Sequence, residues 1–187
     1  MTREEEKLLI TRIISGEEHL YKELVERHSS NIYNLVLGVV SGREDAEEVS
    51  QDVFVKAFFS LKSFRGECSF STWVYRIAYN MAISRTRRQK RNNVSIDGNN
   101  CEILSDDDSV SEKRDEREIL YVILQKALVQ LEPKDRFLIL SFYMNEKTIK
   151  ELMEITGMSE SNVKTRLHRI KKQLNLIIND TREVVYG

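Results

Sequence analysis

Proline, cysteine and glycine are scarce in this sequence, and each shortage excludes a class of structure. The 187 residues include one Pro, two Cys and seven Gly, too few turn-forming residues for an all-β fold. The two cysteines, Cys68 and Cys101, fit neither a disulfide framework nor a paired-cysteine zinc site. We therefore expect an all-α protein in a reducing compartment, without a structural metal.

Long apolar runs are also missing. The longest, residues 35–40 and 137–140, are far too short to cross a bilayer, and the N-terminus MTREEEKLLI lacks the apolar core of a signal peptide. We expect a cytoplasmic protein that does not insert into membranes. No glycine-rich phosphate loop, nucleophile elbow or metal-ligand spacing is present, so we expect neither an enzyme nor a bound cofactor.

Charge is arranged in blocks, although the formal net charge is only −1. Residues 55–92 carry nine Lys and Arg against one acid, while residues 1–54 and 93–119 each have six more acids than cations. Residues 120–187 carry eleven cations and eight acids. A basic block of this density is typical of a phosphate-binding surface, with a solvated basic helix as the alternative.

Apolar periodicity predicts two helical modules joined by a linker. Helices are expected at about residues 4–14, 17–38, 43–61 and 69–91, and after the linker at about 116–131, 133–143, 148–156 and 160–178. Ser69 or Ser71, Pro133 and Ser159 are the expected helix starts. The segment between, residues 92–115, is rich in Asn, Ser and Asp without a helical period, which indicates a flexible acidic linker. The domains are therefore predicted at residues 1–91 and 116–180.

The C-terminal module contains a helix-turn-helix pattern between Thr148 and Leu174. Gly157 supplies the left-handed corner that such a short turn needs. The next helix presents Ser161, Asn162, Lys164, Thr165 and Arg166 outward, the side-chain types that read bases in a major groove. Arg169 and Lys172 follow one or two turns later, where they suit phosphate. A basic helical hairpin that binds protein is the alternative.

The N-terminal module interleaves aromatic rings with cations between Ser63 and Arg91. Rings stack on unpaired bases while cations follow the backbone, so the pattern suits single-stranded nucleic acid. Phe64 lies in a polar loop that could form a pocket for a flipped base, with Asn80 as an edge contact. The sequence leaves open whether Trp73 is a core residue or a base contact. Arg85, Arg87 and Arg88 are expected to attract phosphate.

An acidic helix precedes this segment. Asp45, Glu48, Gln51 and Asp52 recur on one side at steps of three or four residues. Acids at a helix start are favoured by the helix dipole, and the same side could present a polar face to a partner protein.

Three segments in order, DAEEVSQDVFVKAF, FRGECSFSTWVYRIAYN and GMSESNVKTRLHRIKKQL, resemble extracytoplasmic-function (ECF) sigma factors of bacterial RNA polymerase. The resemblance implies two helical domains, regions 2 and 4, which capture the melted −10 strand and read the −35 duplex. It places contacts to core polymerase at Asp45, Glu48, Gln51, Asp52 and Phe54. With the ring and cation pattern, it places −10 contacts at Phe64, Arg65, Phe70, Trp73, Arg76, Asn80, Arg85, Arg87 and Arg88. The −35 contacts are Ser159, Ser161, Asn162, Lys164, Thr165, Arg166, Arg169 and Lys172.

The resemblance also implies partners: core RNA polymerase, promoter DNA in duplex and single-stranded form, and an anti-sigma protein, which is membrane-bound for many relatives. Met153 stands where the family usually has a small Ala, and Ser161-Asn162 where it has Gly-Thr. Two other functions remain open from the residues alone. One is a stand-alone helix-turn-helix regulator whose N-terminal module dimerises or senses a signal, and the other is a helical adaptor protein.

Overall fold

A computed structural model describes residues 2–93 and 116–186, with side chains from 2–91 and 120–181. Within these ranges the chain is helical and contains no strand, as an all-α fold requires. The α-helices are α1 Arg3–Ile14, α2 Tyr21–Leu37, α3 Arg43–Ser60, α4 Phe70–Asn93, α5 Glu116–Val129, α6 Pro133–Tyr143, α7 Ile149–Thr156 and α8 Glu160–Tyr186.

Helix starts follow the expected capping chemistry. Ser69 Oγ accepts the Thr72 amide at 3.0 Å before α4, and Ser159 Oγ accepts the Asn162 amide at 3.3 Å before α8. Pro133 occupies the first position of α6, where its missing N–H costs nothing. Gly157 ends α7 with φ of 73°, so the predicted left-handed corner is confirmed.

Several predicted boundaries differ from the structure, and α5 ends at Val129, two residues before the expected end. The expected helix over residues 17–38 is divided into a 3-10 turn at Glu18–Leu20 and α2, and it begins after Glu17, which leaves the helical region with ψ of 57°. Helix α8 continues to Tyr186 rather than ending near residue 178. Helix α4 extends two residues past the predicted domain boundary, to Asn93. The rest of the predicted linker, residues 94–115, lies outside the described residues.

The N-terminal module packs α2, α3 and α4 around small and β-branched side chains, with α1 against the 3-10 turn. Its fully buried residues include Leu24, Ile32, Val36, Ala46, Val53, Ala57, Val74 and Ala78. The C-terminal module packs α8 against α5, α6 and α7. There Leu152, Ile155, Val163 and Ile170 are buried, while Met158 and Leu167 pack at the edge. These six residues form the predicted shared core of the helix-turn-helix.

The two modules are in contact. Helix α4 packs against α7 and α6, and α2 also touches α6, so one continuous apolar cluster runs from Leu9 to Leu174. The aromatic and basic segment of α4 therefore lies beside the helix-turn-helix.

Two searches of the described residues were negative. No helix there is long and apolar enough to span a membrane. In the same ranges, no three His, Cys, Asp or Glu side chains are grouped so as to hold a metal ion.

Candidate nucleic-acid interface

A pocket opens at the start of α4, where the sequence predicted a base-binding loop. Its volume is about 220 Å³, and its walls are residues 63–68 together with Trp73 and Arg76. The half-buried Phe64 ring lies 5.2 Å from the Trp73 ring, centre to centre, a separation typical of interacting aromatic pairs. Burial raises the pKa of the Cys68 thiol in the wall. The pocket thus offers an aromatic wall beside an exposed guanidinium, which suits a planar base next to a phosphate.

Helix α1 holds this loop in place, a role that sequence reasoning missed. Arg3 Nη2 donates to the carbonyl oxygens of Gly66 and Glu67 at 3.3 and 3.0 Å. Glu6 Oε1 accepts the Phe70 amide at 2.8 Å, which caps the start of α4 and places a carboxylate at the positive end of the helix dipole. Gly66 has φ of 68°, a conformation that glycine adopts without strain. The pocket rim is therefore fixed from two sides.

Cations line the solvent-exposed side of α4. Arg76, Asn80, Arg87 and Arg88 are all exposed, and steps of four and seven residues place Arg76, Asn80 and Arg87 along one helix face. Arg65 is exposed at the pocket rim. The predicted strand-binding residues of this group are therefore free to meet a nucleic acid that leaves the pocket along α4.

Arg85 has a different environment. Its Nε donates to Asp45 Oδ1 at 2.9 Å, and its terminal nitrogens bind both Asp45 and Glu48 of α3. Gln89 also donates to Asp45 and to the Ser41 carbonyl oxygen. The hydrogen bonds that Arg85 donates to Asp45 and Glu48 raise the pKa of its guanidinium. Two carboxylates already neutralise this cation, so the structure assigns it to the α3–α4 contact rather than to phosphate.

Only some of the α3 residues expected to contact polymerase lie at the surface. Glu48, Gln51 and Asp52 are exposed, and Asp45 is half-buried beneath Arg85. Phe54 is only 7% exposed, because it faces the core of the N-terminal module, and it offers little surface to a partner. Two exposed apolar residues, Val55 and Phe59, continue the same side of α3 and were missed. The steps of three residues from Asp52 to Val55 and of four from Val55 to Phe59 are the signal that could have identified them.

Two predicted −10 residues are also internal. Phe70 is completely buried and Trp73 is 8% exposed, with their rings 5.8 Å apart. The structure therefore favours the core position for Trp73, which the sequence had left open, although its ring still closes the pocket wall. Phe70 supports that wall from behind and does not reach the pocket surface.

The second helix of the helix-turn-helix presents the predicted −35 residues to solvent. Ser159 acts as the N-cap described above, and Lys164 is paired with Glu160 one turn earlier. The exposed residues of this set are Ser159, Ser161, Asn162, Lys164, Thr165, Arg169 and Lys172. They form a polar surface at the start of α8, which is the geometry of a recognition helix.

Arg166 is the exception, because it binds Asp135 of α6 through Nε. The Asp135 side chain is only 8% exposed, and Arg169 Nη2 approaches its other oxygen at 4.0 Å. A buried carboxylate thus fixes the direction of one recognition-helix arginine. Nothing in the local pattern of α6 indicated this, since Asp135 is also an ordinary first-turn acid.

Comparison with known proteins agrees with this two-part arrangement. Residues 24–92 match the family model of Sigma-70 region 2, and residues 121–174 match that of Sigma-70 region 4. The chain is 29% identical over 182 residues to the ECF RNA polymerase sigma factor SigW of Bacillus subtilis, covering 93% of this chain and 97% of SigW. It is 33% identical over 101 residues to the RNA polymerase sigma-H factor of Pseudomonas aeruginosa, covering 52% of each protein.

Two solved structures share the fold. CnrH, solved in complex with the cytosolic domain of CnrY, superimposes with a TM-score of 0.70 at 19% identity, covering 94% of this chain and 97% of CnrH. RpoE of Bartonella quintana, solved with the anti-sigma factor NepR, gives a TM-score of 0.69 at 20% identity, covering 85% and 96%. At these identities the likeness concerns the fold: two helical modules in the same order.

Proposed function

The chain belongs to the ECF sigma factors of the sigma-70 family, the subunits that direct core RNA polymerase to promoters, and from this premise we propose how its residues divide that work. The N-terminal module captures the melted −10 strand, and the C-terminal module reads the −35 duplex. The observation that carries this division is the pairing of an aromatic pocket and exposed α4 cations in one module with an exposed recognition helix in the other. The match of residues 24–92 to region 2 leaves the stand-alone regulator without support.

In the N-terminal module, we assign the −10 strand to the pocket and to the exposed side of α4. Phe64 and Trp73 form the stacking wall, Arg65 and Arg76 meet the adjoining phosphates, and Asn80 offers hydrogen bonds to a base edge. Arg87 and Arg88 continue the path of the backbone away from the pocket. Each of these side chains reaches solvent or, as for Trp73 with 8% exposed, lines the open pocket, which is the physical requirement for the role.

In the C-terminal module, we assign the −35 duplex to the start of α8. Ser161, Asn162 and Thr165 are short polar side chains suited to base edges, and Lys164, Arg169 and Lys172 suit phosphate. Arg166 lies on the same surface with its Nε bound to Asp135, so we assign to DNA only the hydrogen bonds that its remaining guanidinium nitrogens can donate. Ser159 serves this surface by capping the helix that carries it.

Core polymerase is assigned to the exposed acids of α3. Glu48, Gln51 and Asp52 supply polar contacts, and Val55 and Phe59 supply the apolar area that protein interfaces usually bury at their centre. The protein acts in this scheme as a binding subunit without catalysis of its own, in the cytoplasm where the bacterial polymerase transcribes. CnrH and the Bartonella quintana RpoE were solved with CnrY and the anti-sigma factor NepR, and we propose a regulator of the same kind here.

Run-off transcription with purified core polymerase tests the assignment. Asn80→Ala should weaken holoenzyme binding to a premelted template as well as initiation on a fully paired promoter, because the contact is made to the opened strand. Asn31→Ala is the matched control, since Asn31 is exposed on α2 and does not line the pocket. Unchanged affinity of Asn80→Ala for the premelted template would contradict the −10 assignment. For the −35 contact, Arg169→Ala should weaken duplex binding and the exposed Gln173→Ala should not.

A further inference from the structure

One face of α1 has a polar half that contacts the pocket loop and an apolar half that packs in the core. Arg3 and Glu6 make the hydrogen bonds to the loop and to the start of α4 described above. Ile10 and Ile13 continue the same face at steps of four and three residues, and each is 4% exposed. The apolar half holds α1 against the module, so the contacts of the exposed Arg3 are not needed to dock the helix.

A capping box closes the first turn of α1. The Thr2 amide donates to Glu5 Oε2 at 2.7 Å, and the Glu5 amide donates to Thr2 Oγ1 at 3.2 Å. These reciprocal bonds satisfy two amides that have no partner within the helix, and they hold the first turn in the helical conformation. Arg3 is the first residue of α1, so it extends towards the loop from a fixed backbone.

Arg3 restricts the pocket loop at its glycine. A single guanidinium nitrogen donates to the carbonyl oxygens of two consecutive residues, Gly66 and Glu67, so both oxygens point towards α1. Gly66 lies in the left-handed region with φ of 68°, and glycine adopts many other conformations at little cost. The charge-assisted bonds from Arg3 favour one of these conformations over the rest.

The pocket depends on the part of the loop that Arg3 binds. Gly66 and Glu67 are among the residues that line it, whereas Arg3 is not. Burial raises the pKa of the Cys68 thiol in the wall, and the positive charge of Arg3 opposes that rise, which shows how near the guanidinium lies to the wall. Any effect of Arg3 on a bound base therefore passes through the backbone of the loop.

Glu6 fixes the other end of the loop. Its Oε1 accepts the amide of Phe70, the first residue of α4, at 2.8 Å. The Phe70 ring packs behind the pocket, with ring centres 6.2 Å from Phe64 and 5.8 Å from Trp73. A displacement of the first residue of α4 would therefore move the ring that supports both aromatic walls.

We propose that Arg3 and Glu6 are positioning residues for −10 recognition: they set the shape of the pocket and so decide how strongly it discriminates between bases of the opened strand. This inference rests on the proposed function, because the shape of the pocket matters only when a base enters it. A loop that is already held in its bound conformation loses less entropy when the base binds. A loose loop accepts different bases with similar and weaker affinity.

Base discrimination by the holoenzyme tests the proposal. The probes are four premelted templates that differ only in the base at the unpaired −10 position where the wild-type holoenzyme discriminates most. Arg3→Ala should weaken binding of the preferred template about tenfold, which is about 1.4 kcal/mol, and should bring the four affinities closer together. Arg12→Ala is the matched control, because Arg12 lies on the same helix and donates instead to Glu17 at 2.9 and 2.5 Å. A base preference that survives Arg3→Ala unchanged overturns the proposal.

Trp73 is the only tryptophan of the chain, so its fluorescence reports on the pocket in the free protein. Arg3→Ala and Glu6→Ala should each increase the quenching of Trp73 by acrylamide, and Arg12→Ala should not. Glu6→Gln should keep both the wild-type quenching and the wild-type base preference, because the side-chain oxygen of Gln can still accept the Phe70 amide. Equal quenching of the wild type and Arg3→Ala overturns the role of Arg3, and a Glu6→Gln variant that behaves as Glu6→Ala does overturns the role of Glu6.

Failure of the proposed function gives a different result from failure of this inference. A wild-type holoenzyme that binds all four templates equally at every unpaired position overturns the −10 assignment, and the discrimination proposed for Arg3 and Glu6 fails with it. A wild-type preference that Phe64→Ala abolishes and Arg3→Ala leaves intact supports the −10 assignment and overturns this inference alone.

Discussion

Arg85 offers a direct test of whether a cation in the basic block serves DNA or the fold. The perturbation is Arg85→Gln, which keeps a polar side chain, shorter than that of arginine, and removes its charge. In the structure Arg85 binds Asp45 and Glu48, with 26% of its own side chain, 25% of Asp45 and 57% of Glu48 exposed. The matched control is Arg88→Gln, because Arg88 lies on the same helix and is exposed.

The expected magnitude follows from this geometry. An exposed ion pair contributes about 0.2–1 kcal/mol, and a guanidinium shared by two carboxylates with a half-buried partner should contribute about 1–2 kcal/mol in total. In a chain of this size about 1 kcal/mol corresponds to about 2–4 °C of Tm. Arg85→Gln should therefore lower the Tm by about 2–8 °C, and Arg88→Gln should leave it nearly unchanged.

DNA binding should show the opposite order. Each phosphate that a cation neutralises adds about 0.7–0.9 to the slope of log affinity against log salt. Arg88→Gln should reduce that slope for the holoenzyme by nearly this amount, and Arg85→Gln should not change it, because Asp45 and Glu48 already balance the charge. The measurements are thermal unfolding by circular dichroism and promoter binding across a series of KCl concentrations. A full reduction in slope with an unchanged Tm for Arg85→Gln would refute the assignment.

Three further variants probe single features of the fold. Gly157→Ala should lower the free energy of unfolding by about 1–2 kcal/mol, because the corner has φ of 73° and a Cβ is unfavourable in that conformation. Gly157→Asn should lower it less, and a urea titration of each variant measures the difference. Burial, together with the charges of Lys147 and Arg27, lowers the pKa of His28 to about 4. The folded protein thus resists a proton that the unfolded chain accepts near 6.5, so stability should fall between about pH 6.5 and 4 by at most about 1.4 kcal/mol per pH unit. His28→Gln should flatten that part of the profile, and an unchanged profile would contradict the burial of His28. Asp135→Asn should lower the free energy of unfolding by about 1.5–3 kcal/mol, because it removes the carboxylate that Arg166 binds. Adding Arg166→Gln to that variant should lower the free energy of unfolding little further, since the two residues act as a pair, and urea titration measures both changes.

Much of the local structure could be predicted from the sequence because its causes are local. Ser69, Ser159 and Pro133 begin their helices as expected, since a cap needs only a side chain and the next three amides. The helix-turn-helix core was predictable because an apolar period of three and four residues selects one helix face. The exposed residues of the recognition helix follow from the same period on the opposite face.

The candidate site was less predictable wherever a residue depends on a distant partner. Charge alone could not distinguish Arg85, which binds α3, from Arg88, which is exposed three residues later on the same helix. Aromatic spacing could not show that Phe70 supports the pocket from behind while Phe64 forms its wall. The hydrogen bonds that Arg3 and Glu6 make with the pocket loop and the start of α4 join residues more than 60 positions apart. Periodicity carries no information over that range.

The sequence by itself determined the helices, their caps, the left-handed corner at Gly157 and the separation of charge into blocks, because each depends on neighbours within a turn or two of the chain. Tertiary structure alone decided which cations remain free, which rings face the pocket, and that the C-terminal module covers the far side of α4. The physical reason is that burial and pairing depend on where distant segments meet, and that position is set by the packing of the whole chain rather than by any one helix.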